Sequence, residues 1–137
     1  MKMKLAKTQT ALLLVAGAVL IVVAMFILAS PADFYASNNI ELDANVNLLN
    51  ELKAPAGLLL AAGVFMIGAI FVRSQADTAL WLATLIYLSY AVSRSVSMAF
   101  DGIPAAGLVQ AAALEGIIGL ACLAVLTIRR IPAWKVA

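Results

Sequence analysis

Two charged residues, Arg94 and Glu115, lie inside long apolar segments of the sequence, where ionic chemistry is least expected. Arg94 comes about six residues before the short turn at residues 101–104, so on a helix that rises ~1.5 Å per residue it would lie about 9 Å below that turn. A charge at that depth in a bilayer is costly unless it is paired or reaches water. We therefore expect Arg94 to face protein or a cavity; alternatively, its long side chain snorkels to the headgroups.

Glu115 lies near the middle of the last apolar segment and shares a stripe with the small residues Ala111, Gly119 and Cys122. Small residues allow helices to approach closely, so this face is predicted to point into a helix bundle. A carboxylate there must pair with a cation or take up a proton. The sequence predicts an Arg94–Glu115 pair, direct or through water, and the alternative is a purely structural pair that fixes helix register.

Further polar residues are expected near the same end of the bundle. Tyr87, Tyr90 and Asp101 share a helix face with Arg94, and three serines form an adjacent stripe: Ser89, Ser93 and Ser97. This side of span three, the serine stripe included, is expected to face protein or a cavity. The candidate ligand-binding cluster opens outward as a polar funnel and comprises Asn47, Asn50, Glu51, Lys53, Tyr90, Arg94, Asp101 and Glu115. For Glu51, Lys53 and Asp101 the alternative interpretation is an ordinary solvated helix end.

The composition indicates a membrane protein and excludes several kinds of site. Hydrophobic residues make up 65% of the 137 residues and charged residues 12%, where soluble domains have ~25% charged residues. The absence of histidine removes histidine-based zinc and haem sites and the Ser-His-Asp triad. We predict no catalytic residue, metal or cofactor, and the net charge of +2 argues against nucleic-acid binding.

Four segments reach the ~20 apolar residues that a spanning helix needs. They cover residues 10–29, 54–72, 78–100 and 104–128, with an external segment at 30–53. The first is longer than the ~7–15-residue core of a signal peptide, so we interpret it as a retained anchor. The sequence predicts an all-α integral membrane protein with one domain: an antiparallel four-helix bundle in which spans two, three and four pack in sequence.

The distribution of basic residues predicts the orientation. One side carries seven of them, namely Lys2, Lys4, Lys7, Arg73, Arg129, Arg130 and Lys135. The two opposite loops carry only Lys53, and basic residues stay in the cytoplasm. Both termini are therefore expected to be cytoplasmic, with Trp81 and Trp134 near that interface.

The external segment is predicted to begin with a short helix that has Ser30 as its cap and Pro31 in its first turn, and to break at Asn38-Asn39. From Asp43 a second helix is expected to continue into span two, with a kink at Pro55. Small residues four apart, Gly57 with Ala61 and Ala112 with Gly116, indicate helix packing within the chain or between copies.

The run NELKAPAGLLL at residues 50–60, with Arg94, Asp101-Gly102 and a glutamate in the last span, resembles a bacterial family of small four-span membrane proteins with a domain of unknown function. The family pattern N-E-x-[RK]-A-x-x-G opens span two. The resemblance implies the four-helix architecture and the bacterial cytoplasmic membrane. It also implies a polar set of Glu51, Lys53, Arg94, Asp101 and Glu115. More distantly, the chain is similar to the DoxX-like proteins; neither resemblance brings an activity.

These observations favour a non-enzymatic membrane subunit that binds a partner protein, a lipid or a small amphiphile. Expected partners are membrane lipids, a larger membrane complex or further copies of the chain. An alternative is a small proton-coupled transporter that works as an oligomer, with Glu115 as the protonatable group and Arg94 as its switch partner. A third hypothesis is a lipid-modifying enzyme in which Glu51, Asp101 and Tyr90 perform acid–base chemistry.

Overall fold

The computed structural model describes residues 2–130, with side chains for residues 6–128, and shows helices joined by short connections. The helices are α1 (Lys2–Ala29), α2 (Pro31–Ala36), α3 (Val46–Phe71), α4 (Ala76–Phe100) and α5 (Ala106–Arg130), with a 3-10 turn at Arg73–Gln75. The described residues contain no strand. Trp134 and Lys135, which entered the orientation argument, lie outside the described residues.

Four of these helices are long and apolar enough to cross a membrane, which confirms the four predicted spans. The spanning stretches are 23 to 28 residues long, above the ~20 residues that a bilayer requires. The chain is therefore a multi-pass membrane protein built as an all-helical bundle. We call the end that carries residues 30–45 and 101–105 the loop end; the predicted cytoplasmic location of the opposite end stays a prediction.

The helix boundaries follow local capping chemistry. The side chain of Asn45 accepts hydrogen bonds from the backbone N–H groups of Asn47 and Leu48, so α3 begins at Val46, three residues after the predicted start at Asp43. The helix continues on both sides of Pro55, and the predicted kink there stays a prediction. The last helix begins at Ala106, two residues after the predicted start at Pro104.

The bundle consists of two closely packed helix pairs. Contacts are most extensive between α1 and α3 and between α4 and α5, whereas far fewer residues of α3 contact α4. Spans two, three and four do pack in sequence, as predicted, but the main neighbour of α3 is α1, which the sequence did not indicate.

Glycines explain this pairing. A Cβ atom on Gly63 of α3 would lie 2.7 Å from the Gly17 carbonyl oxygen of α1, so the two backbones touch where neither residue has a side chain. On the other pair, a Cβ atom on Gly119 would lie 3.1 Å from the Leu88 backbone nitrogen. Replacing Gly63 or Gly119 with a residue that has a side chain would therefore push the paired helices apart.

The small residues that sequence spacing singled out behave differently. Gly57 and Ala61 are exposed, and nothing lies within 4 Å of a Cβ atom placed on Gly57. They therefore make no close helix contact within the described chain. Gly116 makes ordinary contact with Ala91, at 3.9 Å from a Cβ atom placed on the glycine. Packing between copies through Gly57 stays a prediction.

Candidate functional site

A cavity of about 510 Å³ lies in the loop-end half of the bundle, and we call it the loop-end cavity. All four spanning helices and the segment after α1 contribute to its wall. Most of the lining is aliphatic, including Val23 from α1, Leu59 from α3 and Leu108 from α5. Its volume falls within the ~300–1,000 Å³ of typical small-molecule sites.

The wall of the cavity carries the predicted ion pair between α4 and α5. The Arg94 Nε group donates to both oxygens of Glu115, at 3.0 Å to Oε2 and 3.2 Å to Oε1. The side chains are 31% and 15% exposed, so the pair is mostly enclosed. Arg94 precedes the end of α4 at Phe100 by six residues, as the sequence predicted.

Only Nε of the guanidinium is used in this pairing. No group among the described residues accepts a hydrogen bond from the two terminal nitrogens of Arg94. The hydroxyl of Tyr90, one helical turn away on the cavity wall, also makes no hydrogen bond to a described residue. The polar part of the wall therefore presents hydrogen-bond donors that remain available to a ligand.

Deeper in the bundle, Tyr87 also lines the cavity, but its hydroxyl is already used. It donates a hydrogen bond of 2.7 Å to the Ala16 carbonyl oxygen of α1. The side chain is 2% exposed, so the bond is buried. The sequence spacing correctly placed Tyr87 on the same face of α4 as Arg94. It could not predict that the Tyr87 hydroxyl would bond to a backbone carbonyl of another helix.

The segment between α1 and α3 covers the cavity at the loop end. Phe34, Tyr35, Asn38 and Ile40 all line it, and none of these residues belongs to the predicted cluster. The Phe34 ring lies 6.5 Å from that of Phe26 of α1, measured between ring centroids. The sequence feature that could have indicated this contact is the presence of three large apolar side chains, Phe34, Tyr35 and Ile40, in an otherwise largely polar segment.

The cover reaches the first turn of α5 at a glycine. A Cβ atom on Gly107 would lie 2.5 Å from Asn38 Oδ1, so only glycine leaves Asn38 its present position. The backbone at Asn39 has φ of 60°, a left-handed conformation that asparagine tolerates better than most residues. This left-handed residue follows the end of α2 and confirms the predicted break in the helix at Asn38-Asn39.

Three members of the predicted cluster come together in the cavity wall: Tyr90, Arg94 and Glu115. Asn47, Asn50 and Glu51 are exposed on α3 and do not line the cavity. The face of α3 that does so carries Leu52, Pro55, Ala56 and Leu59, which is a different side of the same helix. The structure does not bring these polar residues of α3 to the ion pair, so the single funnel is not formed.

Lys53 is half-buried and Asp101 is exposed, and neither lines the cavity. Asp101 instead accepts a hydrogen bond from the Ser97 hydroxyl at 2.8 Å, at the end of α4. Ser89 and Ser93 are exposed as well, so the expectation that the serine stripe faces protein or a cavity is wrong within this chain. The side of α4 that faces the cavity is the narrower one defined by Tyr87, Tyr90 and Arg94.

The described residues contain no group of three or more His, Cys, Asp or Glu side chains close enough to hold a metal ion. The polar groups that the cavity wall presents to a ligand include the Arg94–Glu115 pair and the hydroxyl of Tyr90.

Comparison with curated proteins and with solved structures gave no match in either set. A family model for a domain of unknown function, DUF4345, matches residues 8–126. That range includes most of every spanning helix and all of the cavity wall. The motif that opens span two and the DoxX-like likeness stay predictions. Because the match covers well over half of the sequence, the chain belongs to the DUF4345 family, as its resemblance to a family of unknown function indicated.

Proposed function

We propose that this protein binds a lipid or a small amphiphile in the loop-end cavity and performs no chemistry on it. The observation that carries the proposal is a cavity of about 510 Å³ with mostly apolar walls and a polar patch formed by Arg94, Glu115 and Tyr90. Apolar enclosure with a few convergent polar groups is the usual design of a small-molecule site.

The cover formed by residues 34–40 supports this proposal over a role limited to binding partner proteins. A surface that only docks a partner needs no internal volume, whereas here Phe34 and Tyr35 line a cavity whose wall also carries the ion pair. The Phe26–Phe34 contact and the Asn38–Gly107 approach join this cover to α1 and α5. An enclosed space of this kind suits an occupant that is partly polar and mostly apolar.

The polar patch must supply much of the selectivity. In water, burying a methylene group contributes ~0.8 kcal/mol, but a ligand that arrives from the bilayer leaves surroundings as apolar as the cavity. Contacts between the cavity wall and the apolar tail of a ligand therefore contribute little to the choice between amphiphiles. The hydrocarbon region of a bilayer contains few groups that can accept a hydrogen bond from Arg94. Hydrogen bonds between the ligand head group and Arg94 would therefore determine which amphiphile is retained.

The experiment is native mass spectrometry of the gently solubilised protein, compared with two phenylalanine variants. Ala111 lines the cavity, and Ala113, two residues further along α5, is exposed and does not. Ala111→Phe should fill part of the cavity and abolish any bound mass of a few hundred daltons, whereas Ala113→Phe should retain it. A wild-type protein that carries no bound small molecule, or an adduct unaffected by Ala111→Phe, would contradict the proposal.

A further inference from the structure

We infer that the occupant of the loop-end cavity presents a net-neutral head group that accepts hydrogen bonds, such as an ester, amide or ketone carbonyl, in contact with Arg94. The inference rests on the proposed function and goes further, because it assigns the chemical class of the ligand head. It also separates this class from two obvious alternatives in a membrane, the carboxylate or phosphate anion and the ammonium cation.

The first step is the charge balance of the wall. Arg94 and Glu115 are the only charged side chains among the described residues that line the cavity. Nε of Arg94 lies 3.0 Å from Oε2 of Glu115, so the two charges compensate each other at contact distance. An anion or a cation entering the cavity would therefore add an uncompensated charge to an apolar enclosure, and such charges are expensive.

The second step is the direction of the available hydrogen bonds. Both oxygens of Glu115 already accept from Nε of Arg94. The terminal nitrogens of Arg94 donate to no described residue, and neither does the hydroxyl of Tyr90. A guanidinium has five N–H donors and no acceptor, so four donors remain after the Nε bond.

The third step is what those donors select. A hydrogen bond to a charged group is stronger than one between neutral groups, and an unsatisfied donor in apolar surroundings is costly. A carbonyl oxygen can take up one or two of the Arg94 donors without bringing a net charge. A hydrocarbon without a head group leaves them unused, and an ammonium group would place further donors beside them. A neutral acceptor is the class that satisfies both the charge and the hydrogen-bond pattern.

The test compares four probes that share one acyl-length chain and differ in the head group. Methyl oleate is the neutral acceptor, oleate the anion, oleylamine the cation and octadecene the probe without a head group. Each is titrated into the delipidated full-length protein in a non-ionic detergent at mildly alkaline pH, and binding is measured by native mass spectrometry. We expect the Kd of methyl oleate to be at least about tenfold lower than that of each other probe, which corresponds to ~1.4 kcal/mol.

Glu115→Gln tests the charge balance directly. Removing the carboxylate leaves the Arg94 charge uncompensated, so the cavity should then favour an anion. We expect the preference to reverse, with the Kd of oleate at least about tenfold below that of methyl oleate. Glu51→Gln is the matched control, because Glu51 is exposed and lies outside the cavity wall. That variant should keep the wild-type order of probes.

The outcomes separate the two levels of the proposal. Binding of none of the four probes to the wild-type protein would overturn the proposed function together with this inference. Preference of the wild-type protein for oleate or oleylamine, or equal binding of octadecene, would overturn the inference and leave ligand binding in place. If Glu115→Gln fails to fold, the wild-type order decides alone, and Arg94→Gln should reduce the advantage of methyl oleate over octadecene.

Discussion

The hydroxyl of Tyr87 donates a hydrogen bond of 2.7 Å to the backbone carbonyl oxygen of Ala16, and this bond joins α4 to α1 across the interior of the bundle. The two helices belong to different closely packed pairs, and they share little other contact. Both residues are buried. The bond therefore links the α1–α3 pair to the α4–α5 pair at the inner part of the cavity wall.

Tyr87→Phe should lower the free energy of unfolding by about 0.5–1.5 kcal/mol, the usual net value of one hydrogen bond. The loss stays in that range because the Ala16 carbonyl lies within α1 and keeps its helical partner. The measurement is unfolding in mixed micelles followed by circular dichroism. Tyr90→Phe is the control, since its hydroxyl bonds to no described residue, and an equal effect in both variants would contradict the role assigned to the Tyr87 bond.

Gly63→Ala should destabilise the α1–α3 pair by ~1–3 kcal/mol, as overpacking does in a close interface. The added methyl group would meet the Gly17 carbonyl oxygen at 2.7 Å and a side-chain carbon of Ile21 at 2.8 Å. Thermal unfolding in detergent should show the loss. Gly68→Ala on the same helix has nothing within 4 Å of the new atom and should be neutral, or stabilising by up to ~1 kcal/mol through helix propensity.

The cover should be open to cross-linking at its contact with α5. A Cβ atom on Gly107 would lie 3.7 Å from the Asn38 Cγ atom, whose place Sγ of a cysteine at position 38 would take, so cysteines at the two positions would lie within reach of each other. In a Cys122→Ala background, Asn38→Cys with Gly107→Cys should oxidise readily and slow the release of a bound probe. Reduction should restore the wild-type rate, and unchanged release in the oxidised protein would contradict the role of residues 34–40 as a cover.

Much of the architecture follows from hydrophobic length alone. A bilayer requires ~20 apolar residues for each span, so the four helices were predictable within a few residues at most boundaries. The helix pairing was not, because Gly17 and Gly63 lie on different spans and their spacing within one helix gives no signal for an approach between two helices.

The site was predictable only in part. A charged residue inside an apolar segment needs a partner, and Arg94 and Glu115 were the candidates available, so the pair could be predicted from the cost of burying either charge. Asn47, Asn50 and Glu51 were included because they share one side of α3. However, which side of a helix faces the bundle depends on its rotation, and the side of α3 that packs against α1 is the one that carries Gly63. Residues 34–40, which form the cover, contain no charged side chain, so the argument from buried charge could not predict their place in the cavity wall.

A double-mutant cycle should show that Arg94 and Glu115 stabilise the bundle mainly by compensating each other. Arg94→Gln and Glu115→Gln should each destabilise it, because either leaves one charge without its partner in a wall that exposes 31% and 15% of the two side chains. The double variant should be more stable than the sum of the two losses predicts, with a coupling energy of ~1–3 kcal/mol.

Ser97→Ala with Asp101→Asn provides the control cycle, since the two residues of that exposed hydrogen bond at the end of α4 should couple by less than ~0.5 kcal/mol. Additive losses in the Arg94–Glu115 cycle would mean that each charge is stabilised separately, by water or headgroups, and that the cavity wall is not electrically compensated.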